Sequence, residues 1–420
     1  MMFGTAKVPA GEPDSTSTRR TAAASFFLPT KVAFGNGALL SLPGILVTEL
    51  SVDGRTSPVA GNGQPRVLLV ADSGLAALGV VDRLSSMLEN AGISVAVFAG
   101  VRPEPLLADV DGWAENVRAG RFDAVIGFGG GSSLDVAKLL AALATNPGSI
   151  GEYLGVEKLE NPGLPTMLIP TTAGTGAEVT PNAIVVNPER GLKEGVVSRR
   201  LFARVAVVDP ELIATAPAGV VATAGMDALA HAVESFLSVR ATPLSDLFAA
   251  EACRRIVASL DAVVRAAGRT EVGDGDGRPA VAAAREDVML GSMLAGIALT
   301  HAGTTLAHAM SYPLGARFGV PHGMANASLL PHVLAFNERW AAERLVQLAA
   351  AAKVPGSFVD AVSDLAGRIR IPERLADVGV PASAAPELAR GTMDVARLIA
   401  NNPRPVTETE LTALFEKVIV

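Results

Sequence analysis

Cysteine is almost missing: Cys253 stands alone in 420 residues, which excludes a disulfide framework and a thiolate metal cluster. Its setting, EACRRIVASL, reads as a helical face and predicts a buried, inert thiol. Histidine is scarce too, five in all. Aromatic residues make up only 4%, too few for a surface built on base stacking. Positive charge is in deficit, with a net charge of −7, which argues against nucleic acid or an anionic membrane as partner. No apolar run reaches the roughly 18 residues that a spanning helix needs. The N-terminus has Arg19-Arg20 but too short an apolar stretch for a signal segment. The expectations are a cytoplasmic protein with no membrane partner and a disordered tail over residues 1–24.

What is present is a chain of 49% hydrophobic and 18% charged residues, long enough for two domains. RVLLVADSG (66–74), ISVAVFAG (93–100), FDAVIGFGGG (122–131), TMLIPTTAGTG (166–176), AIVVN (183–187) and ARVAVVDP (203–210) read as strands separated by helical patterns. That alternation predicts parallel pairing in an α/β layer fold. Beyond Pro210 the apolar spacing turns helical, so a boundary is expected near 211: an α/β domain over 25–211 and an all-helical domain over 212–420. Residues 51–65 and 268–280 read as surface loops.

Two glycine-rich stretches follow strands. GFGGGSSLDVAK (127–138) ends a strand and opens a helix at Ser132 or Ser133, where free N–H groups and the positive end of the helix dipole suit a pyrophosphate. PTTAGTGAEVT (170–180) adds threonine hydroxyls at another strand end, the edge along which open parallel sheets bind ligands. Asp72 ends VLLVAD, where its carboxylate is either a ribose acceptor or a helix N-cap. Together these make a dinucleotide the leading ligand. Asp227 and His231 in GMDALAHAVESF lie four apart on one helical face, and His308 and His322 flank a break at Pro313, Gly315 and Pro321. One carboxylate and three imidazoles are a candidate set for Fe(II) or Zn(II), against the plainer reading of satisfied core histidines.

The blocks GGGSSLDVAK, PTTAGTGAEVT, VAVVDPEL, GMDALAHAVE and HAMSYPLGARFGVPHGMANASLLPHV resemble, in order and spacing, the iron-containing (group III) alcohol dehydrogenases, from about residue 26 to near the C-terminus. The resemblance implies a Rossmann-like dinucleotide-binding domain, a C-terminal helical metal-binding domain and an active site between them. It implies metal ligands Asp227, His231, His308 and His322, with Fe2+ or Zn2+ as the ion. NAD would rest on Gly129, Gly130, Gly131 and Ser132, with Thr171, Thr172 and Thr175 on the nicotinamide side, Lys193 near the cofactor, and Asp72 favouring NAD over NADP. The family's usual serine in the threonine loop is Ala177 here.

Another departure is Tyr312, where relatives carry a second histidine thought to relay protons; His301 stands where they often carry Asn. Tyr312 or His301 is expected either to take over the relay or to wall the pocket, and His332 to be structural. The implied activity is NAD-linked interconversion of a short primary alcohol and its aldehyde by a homodimer. An anionic substrate tail is one possibility, with Arg317 either meeting it or lying on the surface. A hydroxyacid–oxoacid transhydrogenase and a dehydroquinate synthase-like lyase are the alternatives.

Overall fold

The computed structural model describes residues 25–52, 64–189, 192–268 and 277–420. The expected tail at 1–24 lies outside the described residues, as do most of the loops expected at 51–65 and 268–280. Residues 51–52 and 277–280, at the ends of those loops, belong to helices instead.

Among the described residues there are nine strands: β1 (Lys31–Phe34), β2 (Arg66–Asp72), β3 (Ser94–Val101), β4 (Ala124–Gly129), β5 (Gly155–Val156), β6 (Thr166–Pro170), β7 (Asn182–Asn187), β8 (Leu192–Val197) and β9 (Val205–Val208). Interleaved with them are α1 (Leu42–Val52), α2 (Ser73–Ala77), α3 (Val80–Asn90), α4 (Leu107–Gly120) and α5 (Gly131–Leu143). Six strands form one sheet in the order β1-β9-β6-β4-β2-β3, and every pairing in it is parallel. β4, β6 and β9 are buried along their whole length, as unbroken Val/Ile/Leu-rich runs covered on both faces should be.

The parallel expectation holds for five of the six runs. AIVVN departs from it: β7 pairs antiparallel with β8 in a separate three-stranded sheet, order β5-β8-β7. The chain steps from β2 outward to β3 and then back to β4 on the other side of β2. The carboxyl ends of β2 and β4 therefore flank a crevice where the strand order reverses, the usual ligand position of an open parallel sheet.

After β9 the described residues are helical: α6 (Ala218–Leu237), α7 (Pro243–Ala266), α8 (Gly277–Ala302), α9 (Leu306–Phe318), α10 (His322–Asn337), α11 (Ala342–Ala351), α12 (Phe358–Arg368), α13 (Ala385–Met393), α14 (Ala396–Ile399) and α15 (Glu408–Ile419). By length and composition α6 is apolar enough to cross a membrane. It is the buried centre of the helical half, packed against α7, α8 and α10. The axes of α8 and α9 bend by 101° at Gly303, whose φ of +72° suits glycine. The break expected through Pro313 and Gly315 is narrower than that: both lie inside α9, and the chain turns only at 319–321.

Two glycines lock the halves together. A Cβ on Gly176, in the threonine loop, would lie 2.5 Å from the Cα of Gly296 in α8, and one on Gly296 would lie 2.8 Å from the Cα of Gly176. Backbone cannot yield as a flexible side chain does, so Gly296→Ala is expected to cost about 1–3 kcal/mol by overpacking. Urea unfolding measures it; a loss under about 0.5 kcal/mol, the range of an uneventful substitution, would contradict the contact.

Candidate metal centre and dinucleotide crevice

α6 presents Asp227, His231 and Glu234 on one face, at i, i+4 and i+7. The turn at Gly303 brings α9 back beneath that face with His308, and the turn after Phe318 returns His322 at the first position of α10. One ligand atom from each of Asp227, His231, His308 and His322 lies within 4.8 Å of all the others. Asp227, His231 and His308 are buried and His322 is half-buried.

Neighbours orient each ring. His231 Nδ1 is 3.3 Å from the Gly174 carbonyl, so its Nε2 is free for a metal. His308 Nδ1 is 2.5 Å from Glu234 Oε2, and its Nε2 is buried without a hydrogen-bond partner. The Asn326 amide donates to Asp227 Oδ1 at 2.7 Å and stands 3.1 Å from His322 Nε2. Burial raises the Asp227 carboxyl, but the His231, His322 and His308 rings and the Asn326 amide bring it down to about 2. Burial pushes His322 down to about 3 and also lowers His231. His231 and His322 are thus neutral imidazoles beside an ionised carboxylate, the states in which these groups bind a metal; at His308 burial is outweighed by the Glu234 carboxylate, which raises the ring. Together with the orphaned Nε2 of His308, the donor set fits one divalent ion.

Sequence reasoning passed over Glu234. Its buried carboxylate accepts from Thr305 Oγ1 at 2.7 Å and Ala307 N at 2.6 Å besides meeting His308. It is the outer carboxylate that commonly fixes the tautomer of a ligating histidine. Its spacing from Asp227 and His231 was the available signal.

At the sheet edge, Gly130 precedes α5, which starts at Gly131, one or two residues earlier than expected. Gly129 has φ +148°, and a Cβ there would lie 2.6 Å from Ser133 Oγ and 3.2 Å from Asp72 Oδ2. A Cβ on Gly131 would meet Thr175 Cγ2 at 2.6 Å. The glycines thus leave a flat cradle over the α5 N-terminus, which fits a diphosphate. Asp72 Oδ1 caps α2 by accepting from Leu75 N at 2.9 Å, the N-cap reading, and its Oδ2 lies on the Gly129 side of the crevice. The Ser132 hydroxyl accepts from Glu104 N at 3.3 Å. Thr171 is buried, Thr172 and Thr175 half-buried, and Thr175 Oγ1 accepts from Ala177 N at 3.3 Å. Lys193, on β8, pairs with Glu104 at 2.6 Å and lies beside Gly315 of α9.

The other candidates separate. The Tyr312 ring centroid is 6.2 Å from that of His322. His301 stacks on Phe26 at 4.3 Å, with Phe248 on the same phenyl ring, and does not join the four-donor group. Arg317 is bound to Glu387 on the surface, so the sequence-based idea that it meets a substrate's anionic tail gives way to its plainer reading. His332 is half-buried on α10. Cys253 is buried and unpaired.

Three imidazoles and a carboxylate facing a dinucleotide crevice are the arrangement of a metal-dependent dehydrogenase. Family models agree: residues 29–210 match the iron-containing alcohol dehydrogenase model and 221–419 its C-terminal counterpart. The chain is 39% identical over 367 residues to long-chain-alcohol dehydrogenase 1 of Geobacillus thermodenitrificans (strain NG80-2), covering 84% of this chain and 89% of that one. It superposes on the crystal structure of a 1,3-propanediol oxidoreductase with TM-score 0.83 and 33% identity, covering 95% and 100% of the two chains. For sulfoacetaldehyde reductase from Bifidobacterium kashiwanohense in complex with NAD+ the TM-score is 0.82 at 29% identity, covering 95% and 99%. The chain belongs to the iron-containing alcohol dehydrogenase family. It is a metal-dependent, NAD-linked oxidoreductase of alcohols or aldehydes.

Proposed function

We propose that this chain interconverts a short primary alcohol and its aldehyde, with the residues named above in the following roles. The observation that carries the reading is the contact of His231 Nδ1 with the Gly174 carbonyl at 3.3 Å: a metal-donor residue is bonded to the very loop that borders the dinucleotide crevice. Asp227, His231, His308 and His322 would hold the ion, Fe2+ or Zn2+. A bound divalent ion supplies Lewis acidity to an alcohol or carbonyl oxygen, and NAD supplies the hydride acceptor.

The chain's own residues bind and orient. Gly129, Gly130, Gly131 and Ser132 hold the diphosphate at the α5 N-terminus, Asp72 takes the ribose hydroxyls, and Thr171, Thr172, Thr175 and Lys193 border the nicotinamide end. Tyr312 is assigned the proton hand-over. Its ring centroid is 6.2 Å from that of His322, and its hydroxyl would donate in the aldehyde-reducing direction. His301, stacked on Phe26, is assigned a packing role. The dinucleotide-binding part is taken as 25–211 and the metal-binding part as 212–420. This division is supported by the end of β9 at Val208 and the start of α6 at Ala218. A homodimer is supported by the edge strand β1, which leaves Val32 and the nearby Leu40 exposed, and a cytoplasmic setting by the lone free thiol.

The test is NADH oxidation by metal-stripped protein reloaded with Fe(II) or Zn(II), in the presence of short aldehydes. Activity is expected to vanish with the ion and return on reloading. No NADH consumption with any metal would overturn the reading. Aldehyde reduction only at the expense of a hydroxyacid, with the cofactor never released, would make the protein a transhydrogenase.

A further inference from the structure

A histidine that ligates a metal gives it one ring nitrogen and carries its single proton on the other. At His231 and His308 an acceptor stands by Nδ1: the Gly174 carbonyl at 3.3 Å and the Glu234 carboxylate at 2.5 Å. His322 has a serine there instead. Ser311 is fully buried on α9, one turn beyond His308, and its Oγ stands 3.4 Å from His322 Nδ1. A hydroxyl can face that nitrogen as donor or as acceptor, and the two choices leave the ring's lone pair on opposite sides. Ser311 has a single O–H, and it donates to the His308 carbonyl at 2.9 Å. Only oxygen lone pairs remain for Nδ1, which must therefore carry the hydrogen.

The far side of the ring agrees. Asn326, four residues on and on the same face of α10, holds its amide nitrogen 2.7 Å from Asp227 Oδ1 and 3.1 Å from His322 Nε2. That nitrogen only donates, so Nε2 is the side that accepts. Nε2 lies 3.8 Å from Asp227 Oδ1, among the other donors. His322 also needs holding more than its companions do. It is half-buried where they are buried, and it opens α10, so no earlier turn of that helix supports it.

We propose that Ser311 is a positioning residue for His322: its hydroxyl accepts from Nδ1–H and so presents Nε2 to the ion. This inference rests on the metal-binding part of the function proposed above, and not on the reaction.

The test compares zinc bound per chain at a set free-Zn2+ concentration for full-length wild type and Ser311→Ala. Retention is expected to fall about 10-fold, the low end for an outer partner of a ligating histidine, because a neutral hydroxyl accepts more weakly than a carboxylate. A serine that merely filled space would leave the ring's proton where it is. The second readout is therefore ring-nitrogen NMR of His322 in the metal-free chain. Wild type is expected to carry the proton on Nδ1, and Ser311→Ala to divide it between the two nitrogens. Equal retention overturns the proposal, as does a wild-type proton on Nε2 or a ring left unchanged by the substitution. Both shifts in a protein that never oxidises NADH would support Ser311 and sink the reaction. NADH turnover with zinc retention unchanged in Ser311→Ala would sink the role of Ser311 alone.

Discussion

Replacing Glu234 by glutamine is expected to weaken metal retention by about 10–100-fold, the range found when the outer partner of a ligating histidine is removed. The carboxylate serves three donors at once: Thr305 Oγ1, Ala307 N and His308 Nδ1, all within 2.7 Å. A glutamine of the same shape has one oxygen to accept with and an amide that must donate, so a donor pair will face each other in a buried site. The His308 ring then loses what keeps its Nδ1 protonated and its Nε2 lone pair aimed at the Asp227 side. Metal bound per chain at a set free-ion concentration, measured after chelator challenge, reads the effect directly. Thr305→Val serves as the control, since it removes one donor from Glu234 without touching His308 and should shift retention far less. Equal retention by wild type and Glu234→Gln would show that the carboxylate supports the α9 turn only.

Lys138→Met is expected to cost about 3–5 kcal/mol of stability, as removal of one partner of a buried ion pair does. The Lys138 side chain is fully buried. Its ammonium donates to Thr180 O at 3.1 Å, Asn182 O at 2.9 Å and Thr180 Oγ1 at 3.3 Å, and stands 3.6 Å from Asp135 Oδ1. Asp135 in turn accepts from Ile184 N at 3.0 Å. These bonds tie α5, whose first turn forms the diphosphate cradle, to the stretch that leads from the threonine loop into β7. Burial already raises the Asp135 carboxyl and lifts Glu178 to about 7; without Lys138 both lose the charge that offsets it. Urea unfolding should show the loss, and Asp135→Asn added to Lys138→Met should recover part of it, because the two substitutions act on one contact. A single-variant loss below about 1 kcal/mol, or strictly additive losses, would contradict the account.

Five strands of the main sheet could be read from the sequence because each is an apolar run; burial on both faces demands this of β4, β6 and β9, whereas the edge strand β3 is only partly buried. β8 escaped notice because LKEGVV opens with charge: Lys193 turns to Glu104 and Glu194 pairs with Asn187, on a small sheet that is not buried on both faces. AIVVN looked like its parallel neighbours, and only its antiparallel register with β8 separates it from them. Asp227, His231, His308 and His322 were legible as scarce residues at helical spacing. What lay beyond them was not, since Glu234 is acidic among many acidic residues until the turn at Gly303 delivers His308 to it.

The two helices that carry His308 and His322 do not rest on α6 alone. Leu306, Met310 and Leu314 of α9 and Leu329 and Val333 of α10 share one apolar cluster with Leu411, Leu414, Phe415, Val418 and Ile419 of α15. A chain still on the ribosome has all four donor residues about a hundred residues before it has this backing, and domains build from the N-terminus as they emerge. The dinucleotide half can therefore close while synthesis continues. The four donors can gather before α15 is made, but the helices that hold two of them gain this backing only when it docks.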